Sequence, residues 1–356
     1  MRIQKEAAVS SYRLLSDGRA ELTRYQGGRD AEIPAFWQDA PVVSVGPRAF
    51  AGADIYAVSL PDTVESIGAE AFCGCTSLTA FHISRALTSI GADAFLRCSA
   101  LRAFSAPDDH PVFRTSDGVL YDRRRRTLIA YPPGRTAEEA EIPLGVTAIA
   151  EDAFAWCAGV RSVVFPRGLT EIRSGAFSMC LSLERAEFPQ ELTVLGDEAF
   201  SGCGTLKEAS LPGSVQSIGS AAFSGCEALE SVVLPNILRR VENETFKGCV
   251  HLTEITLPES VAFIGDDAFR GCERLGSVNL PMELEWLGDG AFRSCASLTC
   301  LEVPDAVTHV GAYAFAGCPR LTVKAAASSP AAEAARRDRA RFRPAAGGLF
   351  GRRARG

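Results

Sequence analysis

The chain has 356 residues, 47% of them hydrophobic and 22% charged, enough apolar material for a large core in one or two domains. Its net charge of −6 is uneven: residues 319–356 hold ten Lys/Arg against two Asp/Glu, a balance of +8 that leaves −14 for the rest. No run of 18 apolar residues occurs, so no membrane-spanning helix is expected. The start, "MRIQKEAAVSSYRLL", has no apolar signal core, so the expected location is the cytoplasm, with the cell surface as the alternative. Twelve cysteines in a chain this long read as reduced thiols.

Residues 1–40 read as an N-terminal β cap. Over 11–40 the pattern alternates like a hairpin, with its turn at Ser16–Gly18. A repeat then begins. Phe50, Phe72 and Phe95 mark it over 41–106, and Phe154, Phe177, Phe200, Phe223, Phe246, Phe269, Phe292 and Phe315 mark it over 142–323. From Phe154 onward every step is 23 residues, the signature of a solenoid of stacked units.

The unit reads L-P-x-x-V-x-x-I-G-x-x-A-F-x-G-C-x-x-L-x-x-V-x. In the copy starting at Leu257, the apolar positions are Leu257, Val261, Ile264, Ala268, Phe269, Cys272, Leu275 and Val278. Alternation places Val278 and Leu280 on one side of a strand, and Pro281, lacking an N–H, ends it. Gly265 is expected at a turn for its freedom at positive φ, and "DDAF" suggests a helical turn carrying Phe269 inward. The acids Asp266 and Asp267 would then favour the start of that turn. One unit cannot bury its own apolar face, whereas a stack can. The expected fold is an α/β repeat solenoid: a parallel sheet on one side and short helical turns on the other.

Residues 107–141 interrupt the rhythm. "GVLYD" and "TLIAY" flank a basic turn and read as a β-hairpin built into a degenerate repeat. Its tip carries Arg123, Arg124, Arg125 and Arg126, a solvated turn or a contact for an acidic partner. After Leu321 the Leu-Pro rhythm stops. Residues 324–343 read as a helical cap, with Ser329 before Pro330 at its start. Residues 344–356 read as a disordered basic tail.

These residues carry a resemblance. "LPxxVxxIGxxAFxGCxxLxxVxLP" resembles the BspA-type class of leucine-rich repeat over roughly residues 11–342. The resemblance implies a curved, right-handed solenoid with a parallel sheet on its concave side. It also implies an interaction or adhesion role, often at bacterial surfaces.

Ten cysteines, Cys75 to Cys318, fall three residues after their Phe. A repeated need for one small apolar side chain explains them together, and occasional disulfides between neighbours are the next reading. Cys73 and Cys300 break the register and are the expected exposed, reactive thiols. The four histidines, His82, His110, His251 and His309, occupy unrelated positions and suggest no shared site. No catalytic, phosphate-binding or metal-binding motif occurs, so no enzyme, cofactor or metal is expected.

The remaining candidate is the outward side of the sheet: Arg185, Glu187, Glu208, Ser210, Ser231, Val233, Glu254, Thr256, Ser277, Asn279, Cys300 and Glu302. A row of small and acidic side chains suits a basic or extended protein ligand. The expected function is a non-enzymatic protein-interaction module. The alternatives are an adhesin for host protein or glycan, an enzyme with a pocket near Tyr121 and Tyr131, and a structural spacer. The arginine-rich tail raises nucleic acid as a partner, disfavoured because few aromatics interleave it. A monomer is the default.

Overall fold

The computed structural model describes residues 10–345. It divides into two compact units. One takes in the chain up to Glu138 together with Ala148–Val160, and the other Glu139–Thr147 together with Arg161 onward. Both are stacks of coils with parallel strands. Among the described residues strands and turns dominate, and the α-helix is Pro330–Arg337.

Each coil of the second unit contributes two short strands. Glu254–Thr256 buries its middle residue, Ile255, and turns its two outer residues to solvent. After Pro258 the chain closes a turn, with the Val261 N–H donating to the Pro258 carbonyl at 3.1 Å. Phe263–Ile264 follows with Ile264 inward. Both strands pair in parallel with the next coil one period on, Glu254 opposite Ser277 and Phe263 opposite Trp286. Strands this short cannot stand alone, so the stack supplies the partners.

The phenylalanines form the spine of the core. Phe177, Phe200, Phe223, Phe246, Phe269 and Phe292 are fully buried and stack with centroids 5.0–5.8 Å apart. Each ring contributes about 1.5–3 kcal/mol from burial, and its offset stacking adds about 0.5–1.5 kcal/mol.

The segment around each Phe is not a helical turn, which corrects the expectation from "DDAF". The residue two before the Phe is left-handed in coil after coil, including Glu198 (φ 54°), Ala221 (55°), Glu244 (57°) and Asp267 (51°), and so is the residue two after it, as at Gly271 (75°). A right-handed helix cannot pass through either. The left-handed residues let alternate N–H groups leave the coil. Asp267, Phe269 and Gly271 donate to the carbonyls of Asp289, Ala291 and Arg293 at 2.7–2.8 Å. Arg270 and Cys272 close turns inside the coil instead. The backbone is therefore satisfied half locally and half by the next coil.

Gly265 also differs from expectation. Its φ is not positive. The next-lower coil comes so close that a Cβ on Gly265 would lie 2.6 Å from the Asn243 nitrogen. Gly219, Gly288 and Gly311 meet the same obstacle. Beside these glycines runs a ladder of side chains. Asp197, Asn243, Asp266 and Asp289 accept, through Oδ1, the N–H of the residue one coil on, at 2.6–2.8 Å. Asp266 is thus a coil-to-coil acceptor, and Asp267 pairs with Arg270 at 3.0 Å.

In the first unit, Ser11–Leu14 and Ala20–Arg24 form an antiparallel hairpin around a turn at 15–19. Tyr25 leaves that hairpin and stacks on Phe50 at 4.5 Å, starting the aromatic spine. The interruption before Tyr131 is a three-stranded meander, Phe113–Ser116, Val119–Asp122 and Thr127–Ala130, of which the first strand was not expected. Tyr131 takes the place of the absent Phe and stacks on Phe154 at 4.5 Å. His110 is buried there. Its Nε2–H donates to the Ser84 carbonyl at 3.1 Å, while Nδ1 accepts the N–H groups of Val112 and Phe113.

At the other end of the second unit the helix Pro330–Arg337 lays Ala331, Ala332, Ala334 and Ala335 on the core. The Ser329 hydroxyl accepts the Ala332 N–H. The helix stops at Arg337 rather than running to 343. Arg341–Pro344 is a strand, parallel to Thr322–Ala325. The tail reading from 346 onward falls outside the described residues.

Candidate outward strand face

The outward row of the second unit runs coil to coil in register. One column holds Glu139, Ser162 and Arg185, then Glu208 and Ser231, then Glu254, Ser277, Cys300, Thr322 and Arg341. The second column holds Glu141, Val164 and Glu187, then Ser210 and Val233, then Thr256 and Asn279, then Glu302, Lys324 and Arg343. The expected residues from Arg185 to Glu302 all stand here. The middle residue of each strand is buried, so the flanking pair must face solvent.

Four rungs were missed. Glu139–Glu141 and Ser162–Val164 lie on the 23-residue register and were legible by extending it backward. Thr322–Ala325 and Arg341–Pro344 are separated by the helix, so no period connects them.

The charges on this face are sorted. Glu141, Glu187, Glu208 and Glu254 are exposed and make no ion pair among the described residues. Glu302 is instead bound by Lys324 at 2.7 Å, and that carboxylate raises the Lys324 ammonium above its ordinary value. Beyond it stand Arg341 and Arg343. Val164 and Val233, 46% and 58% exposed, interrupt the polar row.

The cysteine ladder is buried, and none of the twelve cysteines is joined in a disulfide. It has a second property that the sequence did not show. Cys226 Sγ lies 3.2 Å from the Phe200 carbonyl oxygen, and Cys203, Cys249, Cys272 and Cys295 repeat the contact one coil apart. The position therefore takes a small side chain that also donates a hydrogen bond. Burial pushes the Cys226 and Cys272 thiols up to about 12. Of the two off-register thiols, Cys73 is held above its ordinary value by burial and by Glu70, while Cys300 sits on the outward face.

The basic turn is partly tied down. Arg123 donates to the Asp108 carbonyl at 2.6 Å, and Arg125 lies over the Tyr121 ring and reaches Ser116. The Arg126 N–H donates to Asp122, and Arg124 projects into solvent. Tyr121 and Tyr131 are buried core residues, 2% and 6% exposed, and frame no open pocket wall.

A further aromatic feature lies along the two-residue strands. Arg240 sits 3.6 Å over Phe263, Phe263 stacks on Trp286 at 6.1 Å, and Trp286 stacks on His309 at 3.6 Å. These four residues share one register column. The signal was the 23-residue spacing itself, read at a position where the repeat is otherwise variable.

The model of the BspA type leucine rich repeat region matches the chain in six copies, over residues 42–116, 134–252 and 239–328. No curated protein matches the sequence. Among solved structures, a leucine-rich repeat protein from Eubacterium ventriosum is 19% identical, covering 87% of this chain and 94% of its own, with a TM-score of 0.58. A leucine rich cell surface protein from Faecalibacterium prausnitzii is 24% identical, covering 94% of this chain and 93% of its own, with a TM-score of 0.53. The repeat, the parallel ladders and these matches together place the chain in the BspA-type leucine-rich repeat family.

Proposed function

We propose that the chain is a non-enzymatic interaction module whose outward strand face, from Glu139 to Glu302, seats a basic or extended protein ligand. The observation that carries this reading is the in-register row of exposed glutamates without ion-pair partners: Glu141, Glu187, Glu208 and Glu254. Their position is set by buried neighbours, so little ordering cost is paid at the scaffold on binding. Carboxylates left without a cation on a preformed face attract positive groups and set the orientation of an incoming chain. Val164 and Val233 add apolar contact within the same row.

Family membership supports the reading, because leucine-rich repeats serve generally as protein-binding scaffolds. The glycan reading has less support. Exposed Trp286 is sandwiched between half-buried Phe263 and His309, so these stacked faces are not offered to a sugar ring. An enzyme site near Tyr121 and Tyr131 lacks support because both rings are core.

Affinity capture from native lysate tests the proposal. Proteins retained by the wild-type chain should bind the Glu208→Lys/Glu254→Lys/Glu302→Lys variant about tenfold more weakly at low ionic strength. Equal retention by both would assign the capture to another surface, and no retained protein would favour the spacer.

A further inference from the structure

The sheet of outward strands has an open edge in each unit. In the first unit its opening strand, Asp30–Glu32, pairs with Ala57–Ser59 and with no other described strand. In the second unit its closing strand, Arg341–Pro344, pairs with Thr322–Ala325 and with no other described strand. The two edges carry opposite charge at the same two outward positions. Asp30 and Glu32 flank buried Ala31, and Arg341 and Arg343 flank Phe342. All four charged side chains are exposed and make no ion pair among the described residues. An open edge is a template for another strand. Like charge on both edges would keep every pair of copies apart. Opposite charge keeps apart only edges of the same kind.

The backbone groups match as well. In a parallel ladder alternate residues turn both N–H and C=O to the same neighbour. The Arg341 and Ala345 N–H groups donate back to Leu321 and Ala325, at 3.1 and 2.9 Å, so Phe342 turns its own groups to the open edge. The Ile33 N–H donates forward to Ser59 at 3.2 Å, so Asp30 and Glu32 turn theirs to the open edge of the first unit. Setting Ala31 against Phe342 keeps the register that holds Leu301 against Val323 and Val323 against Phe342. The Phe342 N–H then meets the Asp30 carbonyl, and the Glu32 N–H meets the Phe342 carbonyl. Val303 donates to Lys324 at the position of Pro344, which has no N–H, so the joint ends there. The same register sets Arg341 against Asp30 and Arg343 against Glu32. Within one chain, Glu302 and Lys324 already stand opposite each other at that second position and pair at 2.7 Å.

We propose that a second copy of this chain docks head to tail here. Its Asp30–Glu32 strand pairs in parallel with Arg341–Pro344 and extends the outward sheet from one copy into the next. The contact uses different surfaces on the two copies, so it leaves a free edge at each end and can propagate. The hairpin Ser11–Arg24 joins the sheet of two-residue strands through Ala40–Val45, and the helix Pro330–Arg337 packs against His309–Val310. These two caps hold the copies apart on that side, and contact concentrates on the joined strands. So small a contact is weak and concentration-dependent. The inference does not depend on the ligand proposed for the glutamate row.

Sedimentation equilibrium of the full chain, from about 1 μM to about 1 mM, tests it. The expected result is a mass that rises with concentration and falls back at high salt. Arg341→Glu/Arg343→Glu should weaken association about tenfold, and so should Asp30→Lys/Glu32→Lys. Combining all four substitutions exchanges the charges and should restore association, which a merely damaged fold would not do. In a separate chain, Arg343→Lys supplies an amine, and carbodiimide should couple position 343 to Glu32 of another copy. Mixing isotopically light and heavy protein distinguishes links between chains from links within one. A monomer throughout the range, association unchanged by either pair of substitutions, no restoration by all four together, or links confined to one chain would overturn the proposal. Partner capture through Glu208 and Glu254 is read on variants that leave both strand edges intact, so either idea can fail alone.

Discussion

The Asp338 carboxylate accepts the backbone N–H of Phe315 at 3.0 Å. In the preceding coil the corresponding N–H, that of Phe292, donates to the Ala314 carbonyl at 2.9 Å. After Phe315 no further coil supplies such a carbonyl, and a side chain from the end of the capping helix takes its place. The Asp338 side chain is itself 1% exposed and held by Arg337 at 3.1 Å. The cap therefore does more than cover apolar surface. It continues the hydrogen-bond pattern by one rung.

Asp338→Ala should strand the Phe315 N–H and leave Arg337 without its carboxylate, costing about 1–3 kcal/mol. Asp338→Asn keeps an acceptor oxygen and should cost less. Amide hydrogen exchange is the suitable measurement, because damage in a repeat stack stays near the altered rung. Faster exchange at Phe315 with unchanged exchange at Phe200 is expected. Uniform acceleration along the stack would refute the local role.

Ala221 is left-handed at φ 55° with no polar side chain to favour it there. Ala221→Gly should relieve strain and stabilise the chain by about 1 kcal/mol. The reverse change at Gly225, where φ is 71°, should destabilise it. Gly265→Ala should destabilise for a different reason, because the added methyl meets the Asn243 backbone at 2.6 Å. Urea unfolding midpoints would rank the three, and a stabilising Gly265→Ala would contradict the packing seen between coils.

The thiol ladder makes stability sensitive to alkali. Burial raises the folded-state values of Cys75, Cys226 and Cys272 to about 12, above the ordinary value of 9.0. A thiol raised in the folded state keeps its contribution below the unfolded value and loses it as pH climbs toward the folded value. Stability should fall between about pH 9 and 12, by about 1.4 kcal/mol per thiol per pH unit. Circular dichroism across that range should show a steep loss, made shallower by Cys226→Ala. Native labelling at pH 7.5 should reach Cys300 first, then Cys73, and the ladder only on unfolding.

His110 satisfies three backbone groups at once. His110→Leu should strand the Val112 and Phe113 N–H groups, while the Ser84 carbonyl keeps the Leu87 N–H, and cost about 1–3 kcal/mol. Limited proteolysis should then cut first in the meander 113–130. Resistance there equal to wild type would show that His110 does not hold it.

Much of this was legible before any coordinates. The 23-residue period located the buried Phe, Leu, Val and Cys positions, and strand alternation placed Glu208, Glu254 and Glu302 outward. Both are local consequences of chain geometry repeated along the sequence. The helical turn around each Phe was misjudged because "DDAF" is compatible with a helix in isolation. Only the next coil's carbonyls make two left-handed residues worth their strain. Gly265 was misjudged for a related reason, since its constraint is a neighbour's backbone and not its own φ.

The sequence by itself determined the period, the core and the outward row, because each depends on spacing within one chain segment. The tertiary structure alone decided what crosses between coils. That includes the thiol-to-carbonyl ladder, the Asx ladder, the Arg240–Phe263–Trp286–His309 stack and the basic rungs at Lys324, Arg341 and Arg343. Those relationships depend on which groups lie one strand spacing apart, and that follows from how the coils stack.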